Sequence, residues 1–307
     1  MEPMKQIFCC LLAILCLSGC TSSLQEKTES VSNQTAPVSS QQQVKQDEQE
    51  MVQPEKNLPL EGKVICVDPG HEVTNLREQE PINPYSSETK EAFVGGTAGK
   101  NQTEEQLNLS VGLKLQTLLE KQGATVVMTR TTHESDMTSY KRAKLANEKQ
   151  ADLCIRIHAD GSTDSSVHGM SMLVPYGEQL ASQTIVEPSR LAGECVLTAA
   201  IKATGAKNNG IVQRSDLTGF NFAEVPTILI EMGFMSNPEE DALMETQNYQ
   251  DQLAQGVCDG IIAYFADQKI MNERGSNDEA IEKKNGIGTD SAYFVWRDAA
   301  CGRRCIK

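Results

Sequence analysis

The stretch "DLCIRIHADG", residues 152–161, decides what kind of fold to expect. Leu153, Ile155 and Ile157 alternate with other residues, the period-two pattern of a strand with an apolar face, and the run stops at small polar residues. At its end stands His158, one of four histidines in 307 residues. Four further runs share its character: "GKVICVD" (62–68), "ATVVMTR" (124–130), "GMSMLVP" (169–175) and "PTILIEMG" (226–233). Helix-like segments of roughly 12 to 20 residues separate them, and strands alternating with helices mark a layered α/β architecture. The expectation is a three-layer α/β domain over 59–268, with a central, mostly parallel twisted β-sheet flanked by helices.

Two helix starts are sharply written. "TEEQ" at 103–106 is a capping box in which Thr103 and Gln106 satisfy each other's backbone N–H groups. Leu107, Val111, Leu115 and Leu118 then form an apolar stripe, and Gly123 ends the helix. Glu104 is thereby placed in a rigid first turn. "NPEE" at 237–240 supplies Asn237 as N-cap, Pro238 as first helical residue, and Glu239 and Glu240 to complement the helix dipole.

"VDPGH" closes the first strand and "IRIHAD" the third, so strands finishing at one edge put His71 and His158 on the same rim, where open α/β sheets bind ligands. Two imidazoles with the Glu104 carboxylate form the donor set of a catalytic zinc, which leaves its fourth position to water. Taken singly, each has a duller reading: a hydrogen-bonded packing histidine, or a glutamate serving the helix dipole. Glu231 is harder to dismiss, because a carboxylate inside the apolar run "ILIEMG" is costly without a partner. Arg156, two residues before His158, projects to the same side; it orients Glu231 or substrate, or else forms a buried ion pair elsewhere. His133 and His168 follow polar turns and read as surface residues.

The flanks have another character. Lys5, the apolar run "IFCCLLAILCL" and "LSGC" make residues 1–20 a targeting signal, too short to span a bilayer as a mature helix. Leu17, Ser18, Gly19 and Cys20 resemble a bacterial lipobox, which implies cleavage before Cys20 and lipidation of its thiol. Residues 21–58 are rich in Ser, Gln, Thr and Glu and read as a disordered tether, with a reach of roughly 35 Å. The polar tail 269–307 holds the only tryptophan, Trp296, together with Cys301 and Cys305, and no role can be assigned to it. Of ten cysteines, Cys9, Cys10, Cys16 and Cys20 belong to the signal, and Cys66, Cys154, Cys195 and Cys258 read as buried free thiols acting as small hydrophobes.

Net charge is -14, with a sequence pI of about 4.8 and a mean hydropathy of -0.39. Such a chain is no nucleic-acid binder, since that calls for a basic face, and it gains no attraction to an anionic surface.

These residues carry a family resemblance. "VDPGHE", "TEEQLNLSVGLKL", "MTRTT", "YKRAKLANEKQADLCIRIHAD" and "VPTILIEMGFMSNPEEDALM" resemble, in order from about 63 to 266, the motifs of zinc-dependent N-acetylmuramoyl-L-alanine amidases of the amidase-3 type. The resemblance implies zinc held by His71, Glu104 and His158, with Glu231 as the catalytic glutamate. It further implies peptidoglycan as substrate, cut between the lactyl group of muramic acid and L-alanine. With the lipobox, the chain is expected as a monomer, lipid-anchored outside the cytoplasmic membrane. In the family a lysine often follows the ligand glutamate; here Glu105 stands there and makes a rival ligand, although the spacing to Asn108 favours Glu104. Arg156, Asn108 and Asn237 are the candidates for substrate contact or for support of the ligands. The long stretch 72–102 resembles a subgroup insertion carrying E-P-I-x-P, either facing substrate or structural. A silent peptidoglycan-binding lipoprotein and a zinc peptidase acting on the stem peptide are the competing functions.

Overall fold

The computed structural model of the protein describes the backbone of residues 58–285 and the side chains of residues 58–270. The signal with Cys20, the tether up to residue 57, and Trp296, Cys301 and Cys305 lie outside the described residues. In chain order the elements are β1 (Val64–Pro69), β2 (Gln79–Pro81), β3 (Thr89–Glu91), α1 (Glu104–Lys121), β4 (Thr125–Met128), α2 (Ser139–Glu148), β5 (Leu153–Asp160) and β6 (Met170–Pro175). They continue with α3 (Val186–Thr204), β7 (Asn208–Arg214), α4 (Thr218–Asn221), β8 (Thr227–Phe234), α5 (Pro238–Met244) and α6 (Gln247–Asn285).

Six strands form one sheet in the order β4-β1-β5-β8-β6-β7. β4, β1, β5 and β8 run parallel, β6 is antiparallel to β8, and β7 is parallel to β6. The sheet is therefore mixed and mostly parallel, with helices on both faces. All five expected strands are present within a residue or two of their expected bounds. β7 was not expected: only Ile211 and Val212 are apolar in it, and an edge strand with one neighbour does not need a continuous buried run.

The side-chain alternation divides the sheet cleanly. Ile65 and Val67 of β1, Leu153, Ile155 and Ile157 of β5, Ile228 and Ile230 of β8, and Met170, Met172 and Val174 of β6 share one core with α1, α3 and α6. On α1 the stripe is Leu107, Val111, Leu115 and Leu119, all but fully buried, while Leu118 is half-buried beside it. The capping box forms, with the Thr103 N–H donating to Gln106 Oε1 at 3.0 Å.

On the opposite face Cys66 and Cys154 pack with Ala146 of α2, and Leu173 and Leu229 pack with Phe220 of α4. Cys66, Cys154 and Cys258 are free, and all four cysteines of the domain, Cys195 included, are buried as expected. The 72–102 segment folds over this side as the antiparallel hairpin β2–β3. It is docked: the Glu80 carboxylate accepts from the Tyr140 N–H of α2 at 2.9 Å, while Thr218 and Asn221 of α4 donate to the carbonyls of Pro81 and Ile82. At the other end of the chain α6 continues beyond residue 268, through the start of the polar segment, to Asn285.

Candidate metal and catalytic site

β1 and β5 are parallel neighbours, so the residues just past β1 and those ending β5 meet at one rim. The Gly70 N–H donates to the Ile157 carbonyl at 2.9 Å, and a side chain at 70 would begin 2.2 Å from the His158 ring, so only glycine allows this approach. His71 follows with φ of 58°, a left-handed backbone that costs a non-glycine residue energy. Buried arginines hold the turn that carries it. Arg130 donates to the carbonyls of Pro69 and Gly70, both at 2.9 Å, and Arg142 to those of Pro69 at 2.7 Å and His71 at 3.3 Å. Arg142 is itself bound by Asp68 and Glu72.

Three side chains converge there. Glu104 Oε1 lies 3.2 Å from His71 Nε2 and 3.0 Å from His158 Nδ1, and the possible ligand atoms of the trio lie within 4.8 Å of one another. The same oxygen accepts from the Ala159 N–H at 3.2 Å and the Asn108 amide at 3.3 Å, while Glu104 Oε2 accepts from the Thr97 N–H at 2.9 Å. His71 Nδ1 sits 2.9 Å from the Val94 carbonyl and Nε2 faces Glu104, so the neutral ring that donates to Val94 turns its Nε2 lone pair toward the trio.

Two of the three charge states suit a cation. Burial opposes ionisation of Glu104, but the hydrogen bonds from His158 and His71 outweigh it and hold the carboxyl well below its usual range. Burial pushes His158 down to about 4, against the pull of Glu104, so its ring is neutral. At His71 burial is outweighed by the Glu104 hydrogen bond and charge, and its pKa is raised. An anionic carboxylate and a neutral imidazole are in the form a divalent ion takes. The donor set is that of zinc, and His158 Nε2 is buried with no hydrogen-bond partner among the described residues.

Glu231 is the register partner of His158 on β8 and projects from the same face. Burial, then the negative charges of Glu104 and Asp160, push its pKa well above the usual carboxyl range. Its Oε2 is buried with no hydrogen-bond partner among the described residues. A carboxyl that takes up a proton readily, beside three candidate ligands, is equipped to shuttle protons.

The remaining candidates sort by contact. Asn108 touches Glu104 and the Gly70 carbonyl. Arg156 is ion-paired through Nε with Asp68 Oδ2 at 2.8 Å, the buried-pair alternative rather than a bond to Glu231. Asn237 caps α5, accepting from the N–H groups of Glu239 and Glu240, and its amide donates to the Ser165 carbonyl; no bond to the trio remains for it. Glu105 turns to His133 at 2.9 Å and Arg130 at 4.0 Å and is not part of the trio. His133 and His168 are exposed, as expected.

Sequence reasoning missed the supports. Val94 and Thr97 act through backbone groups, which side-chain identity cannot reveal. Asp68 could have been found by the reasoning applied to Glu231, since it too is a carboxylate in an apolar strand. Two arginines and a threonine satisfy it, with Arg142 and Arg156 outweighing burial to hold it far below its usual range.

Comparison with known proteins places the chain in a family. Residues 65–263 match the family Amidase_3, described as N-acetylmuramoyl-L-alanine amidase. An N-acetylmuramoyl-L-alanine amidase of Mycobacterium tuberculosis is 28% identical over 219 residues, covering 68% of this chain and 89% of that protein. The Staphylococcus aureus protein named "Probable cell wall amidase LytH" is 30% identical over 208 residues, covering 68% of this chain but 60% of that one. Among solved structures, the amidase Ami1 of Mycobacterium smegmatis superposes with a TM-score of 0.62 at 25% identity, over 67% of this chain and 98% of that one. An N-acetylmuramoyl-L-alanine amidase of Clostridium difficile 630 gives 0.55 at 26% identity, over 66% and 97%. With its fold, its trio of ligand-type side chains and this match across most of the described domain, the chain belongs to the Amidase_3 family of N-acetylmuramoyl-L-alanine amidases.

Proposed function

We propose that the protein is a zinc-dependent amidase that hydrolyses the bond between N-acetylmuramic acid and L-alanine in peptidoglycan, working outside the cytoplasmic membrane from a lipid anchor on Cys20. The observation that carries the reading is the convergence of His71, Glu104 and His158 beside the partnerless Glu231 carboxyl.

His71, Glu104 and His158 would hold the ion. A zinc ion held there would supply Lewis acidity, able to polarise the amide carbonyl and to lower the pKa of a water from about 15.7 toward 7. Glu231 takes the proton of the attacking water on its carboxylate and returns it to the departing alanine nitrogen, completing the exchange without a net change in its own state. Asn108, the Ala159 N–H and the Thr97 N–H keep Glu104 fixed throughout, and the Val94 carbonyl fixes the His71 tautomer. A domain that merely binds the wall has no use for a half-buried carboxyl with an unpartnered oxygen in Glu231's position.

Mass spectrometry of peptidoglycan digested by the purified chain tests the reading. Free lactyl ends together with stem peptides bearing an intact L-alanine amine are expected, lost on chelation and restored by zinc. Shortened stem peptides instead would make the protein a peptidase. For the anchor, Cys20→Ala should move the protein from the membrane fraction to the medium.

A further inference from the structure

The "NPEE" start of α5 lies next to the site without contributing a ligand or a proton carrier, and its acidic residues divide sharply. Of the three carboxylates in its first turn, Glu239 is exposed and complements the helix dipole, while Glu240 and Asp241 bond to backbone on two different sides.

Glu240 serves the strands. Its Oε2 accepts from the Phe234 N–H at 2.7 Å and its Oε1 from the Gly169 N–H at 2.9 Å. Phe234 ends β8 three residues after Glu231, and Gly169 immediately precedes β6, whose Ser171 is the register partner of Glu231. Gly233 leaves room for the contact, since a side chain there would begin 3.2 Å from Glu240 Oε2. One carboxylate therefore joins the strand of Glu231 to its neighbour at the rim.

Asp241 serves the other half. It is 7% exposed, its Oδ2 accepts from the Lys100 N–H at 2.7 Å, and Gly99 packs so closely that a side chain there would begin 1.7 Å from Oδ1. Gly99 and Lys100 stand at the tip of a tight turn that closes on Glu104. The Gly99 N–H donates to the Gln102 carbonyl at 3.0 Å, Ala98 is bridged to Thr103, and the Glu104 N–H donates to the Thr97 carbonyl at 3.0 Å. The Thr97 N–H returns to Glu104 Oε2 at 2.9 Å, so this turn holds Glu104 by its backbone and by its carboxylate.

We infer that Glu240 and Asp241 are positioning residues that form a bracket: Asp241 sets Glu104 within the trio, Glu240 sets Glu231 opposite it, and the seven-residue helix α5 thereby fixes the spacing between metal and proton carrier. The inference rests on the amidase reading above. Bonds from backbone N–H groups to an ionised carboxylate are the strong, short kind, suited to holding two segments in register. The spacing matters because a misplacement of about 1 Å at the reacting groups can cost roughly 10²-fold in rate.

The test reads the two arms separately on the purified full chain. Asp241→Ala should weaken zinc binding about tenfold in competition with a chromophoric chelator and alter the visible spectrum of the cobalt-substituted protein, which reports ligand geometry. Asp241→Asn keeps an acceptor for the Lys100 N–H and should restore most of that affinity. Glu240→Ala should keep its zinc affinity and lose about tenfold or more in kcat on a soluble muramoyl peptide at saturating zinc, with KM little changed. Glu240→Gln, with one acceptor left, should fall between it and the wild type. Unchanged zinc affinity in Asp241→Ala, or unchanged kcat in Glu240→Ala, overturns the inference. So does Glu239→Ala if it reproduces either loss, because the charge of the helix turn would then be the cause. Should Asp241→Ala fail to fold, the wild type decides: zinc loading must slow hydrogen exchange of the Lys100 amide, by the reciprocity of linked equilibria, and unchanged exchange refutes the bracket. A wild type that binds zinc but cleaves no muramoyl peptide brings down the amidase reading and the Glu240 arm with it, while the zinc affinities still decide the Asp241 arm.

Discussion

The two faces of the central sheet are built from the same strands on the same period of two, yet they hold opposite chemistry. One presents Ile65, Val67, Ile155, Ile157, Ile228 and Ile230 to α1, α3 and α6 and contains no charge. The other, from the same β1, β5 and β8, packs Cys66, Cys154 and Leu229 into small apolar clusters and then, toward the rim, presents Asp68, Arg156, His158 and Glu231. Hydrophobic burial stabilises the first at about 25 cal/mol per Å². The second retains carboxylates and guanidinium groups whose removal from water must be offset by pairing. The difference teaches that stability and chemistry in this domain are assigned to alternate residues of a single strand, so adjacent positions should fail in different ways when changed.

The largest effect is expected at Glu231. Glu231→Gln should lower turnover roughly 10²- to 10⁴-fold, while the Tm holds or rises because a half-buried ionisable group with an unpartnered oxygen among the described residues gives way to a neutral one of the same shape. Muropeptide release and calorimetry on one preparation check both halves, and a collapsed Tm would break the division between the faces. Next comes Arg142→Met, which leaves Asp68 and Glu72 uncompensated and frees the His71 turn; a loss of about 3–5 kcal/mol is expected in urea unfolding, with weakened zinc affinity.

Ile155→Ala, one residue from Arg156, should cost about 2–5 kcal/mol by opening a cavity in the apolar core. Zinc affinity and turnover per folded molecule should be those of the wild type, and a selective loss of zinc would blur the comparison. The smallest effect concerns acid. The folded pKa of Asp68 is depressed, so its contribution is complete above the ordinary aspartate value of about 3.9 and is lost as pH falls below it. Stability should therefore drop on acidification below about pH 4, and Asp68→Asn, less stable at neutral pH, should show a flatter curve there.

Much of this was legible in the sequence, for a physical reason. Strands buried on both sides need apolar residues, and "KVICVD", "DLCIRIH" and "TILIEM" could be nothing else. Histidines at the ends of parallel strands must share a rim, so His71 and His158 could be brought together before any coordinates. What could not be read depends on the backbone or on folding back from a distance. β7 is an edge strand with little apolar content. The partners of Glu104 and His71 at Thr97 and Val94 are peptide groups of a segment whose sequence has no period. The ion pair between Asp68 and Arg156 follows from register, which fixes which side chains are adjacent but not which of them bond.

One consequence follows from how the 94–97 segment is fastened. Its Val94 carbonyl and Thr97 N–H each grip a member of the trio, and Tyr85, at the turn of the same insertion, bonds the Leu180 carbonyl across the surface. Loop order and ligand geometry are thus two readings of one equilibrium. A substitution that displaces the 94–97 backbone is therefore expected to disturb His71 and Glu104 together, although it touches neither side chain's own sequence neighbourhood.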